Sequence, residues 1–113
     1  MISDKINMVV YETIKRKVNA GEKFITSIEG ISMLPRLQKG DRVLVDPNPE
    51  KYCVGDMVLI DWGKTYVVHR LVSLENMQTK GDNLDNLDPP NLKIVGKCKQ
   101  IELRDTGERK MFE

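Results

Sequence analysis

Residues 57–72 have the sequence MVLIDWGKTYVVHRLV. The first part of this stretch, up to Trp62, is nearly all apolar, which is typical of a strand buried on both faces. Gly63 and Lys64 follow as a two-residue hairpin signal, and residues 65–72 form the return strand. The stretch therefore predicts an antiparallel hairpin, and the rest of the chain is interpreted outward from it.

The segments on either side of the hairpin also have the character of strands joined by turns. Ahead of it the sequence has a period of two, so that Phe24, Thr26 and Ile28 share one face. Further strands are predicted at Arg42–Asp46, at residues 77–80 and at Leu92–Leu103. Residues 82–91, which include two prolines, are predicted to be a loop. Long helices do not alternate with these strands, which argues against a parallel doubly wound sheet. The sequence predicts a mainly β fold, an antiparallel β-ribbon or a partly closed barrel, with a core over about residues 23–103.

Residues 4–19 predict one amphipathic α-helix ahead of the strands. Their apolar side chains recur at about 3.6-residue spacing, at Ile6, Val9, Val10, Ile14 and Val18. Gly21 follows as a helix stop. Packing of this stripe against the protein's own core is the favoured interpretation, and a helix lying on a membrane surface is the alternative. At the other end, residues 105–113 are predicted to be a loosely held tail, and the length of 113 residues predicts a single domain, residues 1–113.

The composition argues against several functional classes. A hydrophobic content of 40% and a charged content of 31% are those of an ordinary soluble protein, and a net charge of +1 argues against a nucleic-acid surface. No stretch approaches the ~18 consecutive apolar residues of a membrane span, and the first residues lack the features of a secretory signal. Cys53 and Cys98 are too few for a disulfide framework and lack metal-ligand spacing. We expect a cytoplasmic protein that uses no cofactor and no metal.

Four polar residues are candidates for chemistry: Ser32, His69, Asp82 and Asp88. Taken singly, each has an ordinary structural explanation, because a serine or an aspartate in such a loop usually satisfies nearby backbone and a lone histidine usually binds a backbone carbonyl. The spacing of Asp82, Asp85 and Asp88 does not match the alternating ligands of a calcium loop. Taken together, a serine, a histidine and a carboxylate are the parts of a hydrolase with an activated nucleophile.

Five short blocks occur in one order along the chain: Gly30–Pro35, Gly40-Asp41, Val54–Val58, Val67–Arg70 and Thr79–Asn83. In this order they resemble the superfamily of type I signal peptidases and the autoproteolytic domains of SOS-response repressors, over about residues 23–97. The pair His69-Arg70 resembles the archaeal and endoplasmic-reticulum branch, which has a histidine where the bacterial leader peptidases and the repressors have a lysine. That branch also has two aspartates six positions apart, which match Asp82 and Asp88.

This resemblance implies a role for each candidate. Ser32 would be the nucleophile and His69 the general base. The backbone N–H of Ser32 would also be the candidate donor to the oxyanion. Asp88 is preferred as the carboxylate that orients the imidazole, and Asp82, which directly follows a glycine, remains the alternative. The chain departs from the signal peptidases at Gly30, where they usually have a hydroxyl two positions before the nucleophile. It also lacks their membrane anchor, which implies a soluble member or an anchor supplied by a partner.

The implied function is a small signal-peptidase-like serine endopeptidase that cuts an extended peptide or the leader of a precursor protein. Membrane association is possible but not intrinsic, and no nucleic-acid partner is expected. One alternative is an autoproteolytic repressor-like domain, for which Ala20-Gly21 is a candidate bond only 11 residues before Ser32. The other is a catalytically inactive peptide-binding module of the same fold.

Overall fold

The computed structural model describes residues 2–111, with side chains from Met8 to Met111. Its elements in chain order are α1 (Ile2–Ala20), β1 (Phe24–Ser27), β2 (Arg42–Asp46), β3 (Met57–Asp61), β4 (Tyr66–Ser73), a short 3-10 turn (Glu75–Met77), β5 (Gln78–Lys80), β6 (Lys93–Glu102) and β7 (Arg109–Met111). Within the described residues the seven strands form one antiparallel sheet in the order β1-β2-β6-β3-β4-β5, with β7 also paired to β6. The sheet is not closed, and the prediction of a mainly β fold with one N-terminal helix is confirmed.

The hairpin of β3 and β4 forms where the sequence predicted it. The strands pair from Met57 with Arg70 to Asp61 with Tyr66. The turn is closed by a 2.8 Å hydrogen bond from the Trp62 N–H to a backbone carbonyl, and Gly63 adopts a positive φ of 101° that favours glycine. The four apolar residues of β3 are all buried, although they alternate between the two faces of the sheet.

Each face of the sheet has its own apolar cluster. Val58, Ile60 and Leu71 are fully buried on one side. The larger cluster, on the other side, includes Phe24, Met33, Leu37, Val43, Val45, Leu59, Val68, Val95 and Ile101. Met33 and Leu37 belong to the loop between β1 and β2, so the core itself anchors the segment that carries Ser32.

The N-terminal helix is only partly packed against the core. Ile14 and Val18 contact the larger apolar cluster, whereas Val9 and Val10 are 65% and 51% exposed. The prediction that the whole stripe packs is therefore correct for its second half only, and Ile6 lies outside the residues whose side chains are described. Tyr11 holds this part of the helix through a 2.8 Å hydrogen bond to Asp61. In the described part of the chain, no helix is long and apolar enough to cross a membrane.

Residues 109–111, within the segment predicted to be a loosely held tail, lie in a strand. These residues form β7 and pair with Gln100–Glu102 of β6. β3 covers only Lys93–Lys97 of this long strand, so the remaining edge of β6 is open for another partner. An ion pair from Arg109 to Glu102 adds to the pairing of β7 with β6, and Arg42 of β2 forms an ion pair with the same carboxylate. The last two positions of the predicted tail lie outside the described residues.

Candidate active site

Buried neighbours on both sides hold the loop that carries Ser32. Ile28 precedes it and Met33 follows it, and both side chains are buried. One helical turn follows, marked by the 2.9 Å hydrogen bond from the Leu37 N–H to the Met33 carbonyl. The buried carboxylate of Asp41 accepts the backbone N–H of Gln38 at 2.9 Å and closes this turn. The Gly-Asp pair at 40–41 is therefore a structural device that fixes the serine loop.

A second block, Gly81-Asp82-Asn83, clamps the serine loop from the opposite side. The Asn83 N–H donates to the Ser32 carbonyl at 2.7 Å, and the Asn83 side-chain amide donates to the Ile31 carbonyl at 3.0 Å. Gly81 is required by the close approach, because a β-carbon there would lie 2.8 Å from the Ser32 carbonyl oxygen. The two loops thus form one unit around the serine.

Ser32, His69 and Asp88 meet in a continuous chain of hydrogen bonds. The distance from Ser32 Oγ to His69 Nε2 is 3.0 Å, and that from His69 Nδ1 to Asp88 Oδ2 is 2.6 Å. The histidine and aspartate side chains are only 5% and 4% exposed. With its Nδ1–H donated to the carboxylate, the neutral imidazole leaves Nε2 free to accept the serine proton. This arrangement can perform nucleophilic acyl transfer.

Asp82 is not brought to the histidine. Its two carboxylate oxygens accept hydrogen bonds from Arg70 Nε at 2.8 Å and Arg70 Nη2 at 2.7 Å. Arg70 also donates to the Gly55 carbonyl at 2.7 Å. The hydrogen bonds and the positive charge of Arg70 hold the pKa of Asp82 below its usual range. Of the two predicted carboxylates, only Asp88 contacts the imidazole. Asp82 instead links β4, the strand of His69, to the Gly81-Asp82-Asn83 block that contacts the serine loop.

One buried residue next to the site was not singled out from the sequence. Thr79 lies on β5, and its hydroxyl donates to Asp88 Oδ2 at 2.7 Å. Its carbonyl also accepts the Asp88 N–H at 2.9 Å. A period of two along residues 77–80 would have placed Thr79 on one face, but which face meets Asp88 depends on the path of the loop.

A cleft of about 660 Å³ leads to Ser32. Its walls are α1, β1 and the first half of β4, and its lining is mostly apolar, including Val9, Val10, Ile25, Ile28, Tyr66 and Val68. β1 is the end strand of the described sheet order, and β5 pairs with β4 only from Arg70 onward. Within the described residues, the cleft therefore lies beside two strand edges that have no further strand partner.

Ser32 lines the cleft and can offer its backbone N–H to an oxyanion. Among the described residues, the Ser32 N–H donates no hydrogen bond, so it is available to a ligand. At Gly30, no atom beyond the glycine and its two chain neighbours lies within 4 Å of the position that a β-carbon would take. No group of three or more His, Cys, Asp or Glu side chains is arranged to hold a metal ion within the described part of the chain.

A comparison with models of protein families bears on this site. The model of a family described as Peptidase S24-like matches residues 3–97. No curated protein matches the sequence. The matched residues include the serine loop, the histidine strand and the loop of Asp88. The family match therefore covers all three residues of the hydrogen-bonded series Ser32, His69 and Asp88.

Proposed function

Because this chain belongs to the Peptidase S24-like family, we propose that it is a serine endopeptidase that cuts extended peptides or the leader segments of precursor proteins. The family supports a role as a serine peptidase or an autoprotease in general terms. The single observation that carries the proposal is the chain of hydrogen bonds from Ser32 Oγ through His69 to Asp88. The pair His69-Arg70 supports, by resemblance, the part of this proposal that relates the chain to the archaeal and endoplasmic-reticulum signal peptidases.

In the proposed mechanism, Ser32 Oγ attacks the carbonyl carbon of the scissile peptide bond while its proton passes to His69 Nε2. Asp88 accepts the Nδ1–H and stabilises the imidazolium that forms. The free N–H of Ser32 donates to the oxyanion of the tetrahedral intermediate. His69 then protonates the leaving amine, which departs and leaves an acyl group on Ser32. Water, deprotonated by the same imidazole, hydrolyses this ester and restores the serine.

The proposed binding site for the substrate peptide is the cleft that leads to Ser32. An extended peptide can add to a strand edge through main-chain hydrogen bonds, and side chains that alternate along it then set the specificity. Residues of β1 and Tyr66–Val68 line the same cleft as Ser32, and both strands have an edge there without a further strand partner in the described part of the chain. The apolar lining favours apolar side chains on the acyl side of the cut.

Self-cleavage at Ala20-Gly21 has less support from the contacts. Ala20 ends α1, and the N–H of Gly21 donates to the Val18 carbonyl at 3.1 Å. The Gly21 carbonyl in turn accepts a 3.0 Å hydrogen bond from Asn48. This bond is therefore held in a helix terminus rather than extended for attack. An unchanged intact mass of the purified protein over time at neutral and alkaline pH would exclude self-cleavage.

The proposal is tested by incubating the wild type and Ser32→Ala with a peptide library and locating the cut sites by mass spectrometry. We expect defined cuts with the wild type and none with Ser32→Ala or His69→Ala. Both variants are expected to keep the circular dichroism spectrum of the wild type. Equal turnover by wild type and Ser32→Ala would reject the mechanism. Peptide binding by the wild type without any cut would instead favour an inactive binding module.

A further inference from the structure

We propose that Thr79 is a positioning residue that holds the Asp88 carboxylate and, through it, fixes the direction and the tautomer of the His69 ring. This inference deepens the proposed function and rests on it. Thr79 does not line the cleft and its hydroxyl donates to Asp88, so we infer that it acts on the site through Asp88.

The placement of Thr79 follows from the pairing of β4 and β5. Thr79 pairs with Leu71, and His69 lies two residues before Leu71 on the same face of β4. Thr79 is therefore a diagonal cross-strand neighbour of the histidine. Its side chain is buried, and its hydroxyl and its carbonyl bind the side chain and the backbone of Asp88 respectively. One residue thus fixes Asp88 at two points.

The hydroxyl matters because both short contacts converge on one carboxylate oxygen. Asp88 Oδ2 accepts the Thr79 hydroxyl at 2.7 Å and lies 2.6 Å from His69 Nδ1. Two donors on one oxygen fix the rotation of the carboxylate. Without the hydroxyl, the orientation of the Asp88 carboxylate is fixed less firmly. The side chain of Asp88 is only 4% exposed, so bulk solvent has little access to replace the lost hydrogen bond. A neutral imidazole has two tautomers, and only the one protonated at Nδ1 leaves Nε2 as the acceptor for the serine proton.

A buried threonine in a sheet can also serve only to fill space, and valine distinguishes the two roles. Valine has nearly the shape of threonine but no hydroxyl, and serine has the hydroxyl but lacks the methyl group. A role in packing predicts that Thr79→Val resembles the wild type and that Thr79→Ser is the weaker variant. A positioning role predicts the reverse order in every property of the site.

The first measurement is kinetic. We expect Thr79→Val to lower kcat about 10- to 100-fold, the range that follows from losing a hydrogen bond to a charged group, with little change in KM. Thr79→Ser should keep most of the wild-type kcat. Thermal unfolding of both variants checks that folded protein is being compared. Wild-type kcat in Thr79→Val would overturn the proposal.

The second measurement needs no substrate. His69 is the one histidine in the chain, so the ¹⁵N spectrum of the imidazole reports on this ring alone. At alkaline pH, the wild type and Thr79→Ser should show mainly the Nδ1–H tautomer, and Thr79→Val should show a larger share of the Nε2–H tautomer. Identical tautomer populations in all three proteins would overturn the inference. Because this result is independent of turnover, failure of Thr79 positioning and failure of the peptidase proposal are separately visible.

Discussion

The substitution Gly81→Ala tests whether the Gly81-Asp82-Asn83 block sets the position of the serine. A β-carbon at Gly81 would lie 2.8 Å from the Ser32 carbonyl oxygen and 2.9 Å from the end of the Leu84 side chain. The leucine can rotate away, but the carbonyl belongs to the backbone and already accepts the Asn83 N–H at 2.7 Å. To reach an ordinary contact of 3.4 Å, the serine loop has to move by about 0.6 Å.

A displacement of this size is large on the scale of the site. Ser32 Oγ lies 3.0 Å from His69 Nε2, and the hydrogen bond that activates a nucleophile spans about 2.6–3.2 Å. A misplacement of about 1 Å can cost about 10²-fold in rate. We therefore expect Gly81→Ala to lower kcat for peptide cleavage by about tenfold, measured with the best substrate from the library. The fold should persist, because the strain falls on a loop.

Gly96→Ala is the matched control for this experiment. A β-carbon there would lie 2.6 Å from Val45 Cγ1, so the clash falls between β6 and β2 in the core instead of on the serine loop. Overpacking of this kind costs about 1–3 kcal/mol. We expect Gly96→Ala to lower the Tm while each folded molecule keeps the wild-type kcat. A Gly81→Ala protein that is folded and fully active would show that the block does not determine where Ser32 lies.

Two further predictions concern Asp82 and Gly30. Asp82→Asn should remove about 1 kcal/mol of stability at pH 7, because the partly exposed ion pair with Arg70 is lost. Because Arg70 lowers the pKa of Asp82, the wild type has this added stability above about pH 4 and loses it on acidification. The unfolding curves of the two proteins should therefore converge at low pH. A stability difference that stays constant from about pH 7 to about pH 2 would contradict the reasoning. Gly30 lines the cleft together with Ser32, and the position of a β-carbon there is open. We expect the hydroxyl of Gly30→Ser to donate to the oxyanion and to raise kcat about tenfold, with Gly30→Ala as the control that adds the β-carbon alone. Equal kcat for these two variants would exclude a role for the added hydroxyl.

Much of the β architecture could be predicted from local patterns. The apolar run of β3, the glycine turn and the return strand define a hairpin without reference to the rest of the chain, and β2 has the predicted bounds, Arg42–Asp46. These features depend on neighbouring residues, through side-chain alternation and the preference of a tight turn for glycine. β7 could not be predicted in this way, because Arg109–Met111 is polar and short and pairs only because an edge of β6 is open.

The candidate site, like the fold, could be predicted from the sequence only in part. Ser32, His69 and Asp88 could be singled out from residue type, order and resemblance, although their catalytic roles stay predictions until activity is measured. The resemblance favoured Asp88, but the residues by themselves could not separate it from Asp82, since both lie in one loop. The choice depends on how that loop turns back, which brings Asp88 to the imidazole and leaves Asp82 on Arg70.

The sequence by itself determined most elements of the fold, β7 excepted, and the chemical groups that the chain can bring to a site. Only the tertiary structure decided which groups share a hydrogen bond: Thr79 with Asp88, Arg70 with Asp82, and Asn83 with the backbone of Ser32. The physical reason is the separation along the chain between the residues that interact. Strands and turns follow from interactions between close neighbours in the chain, whereas a hydrogen bond needs its atoms within a few tenths of an ångström, and for distant segments that precision comes from the packed sheet.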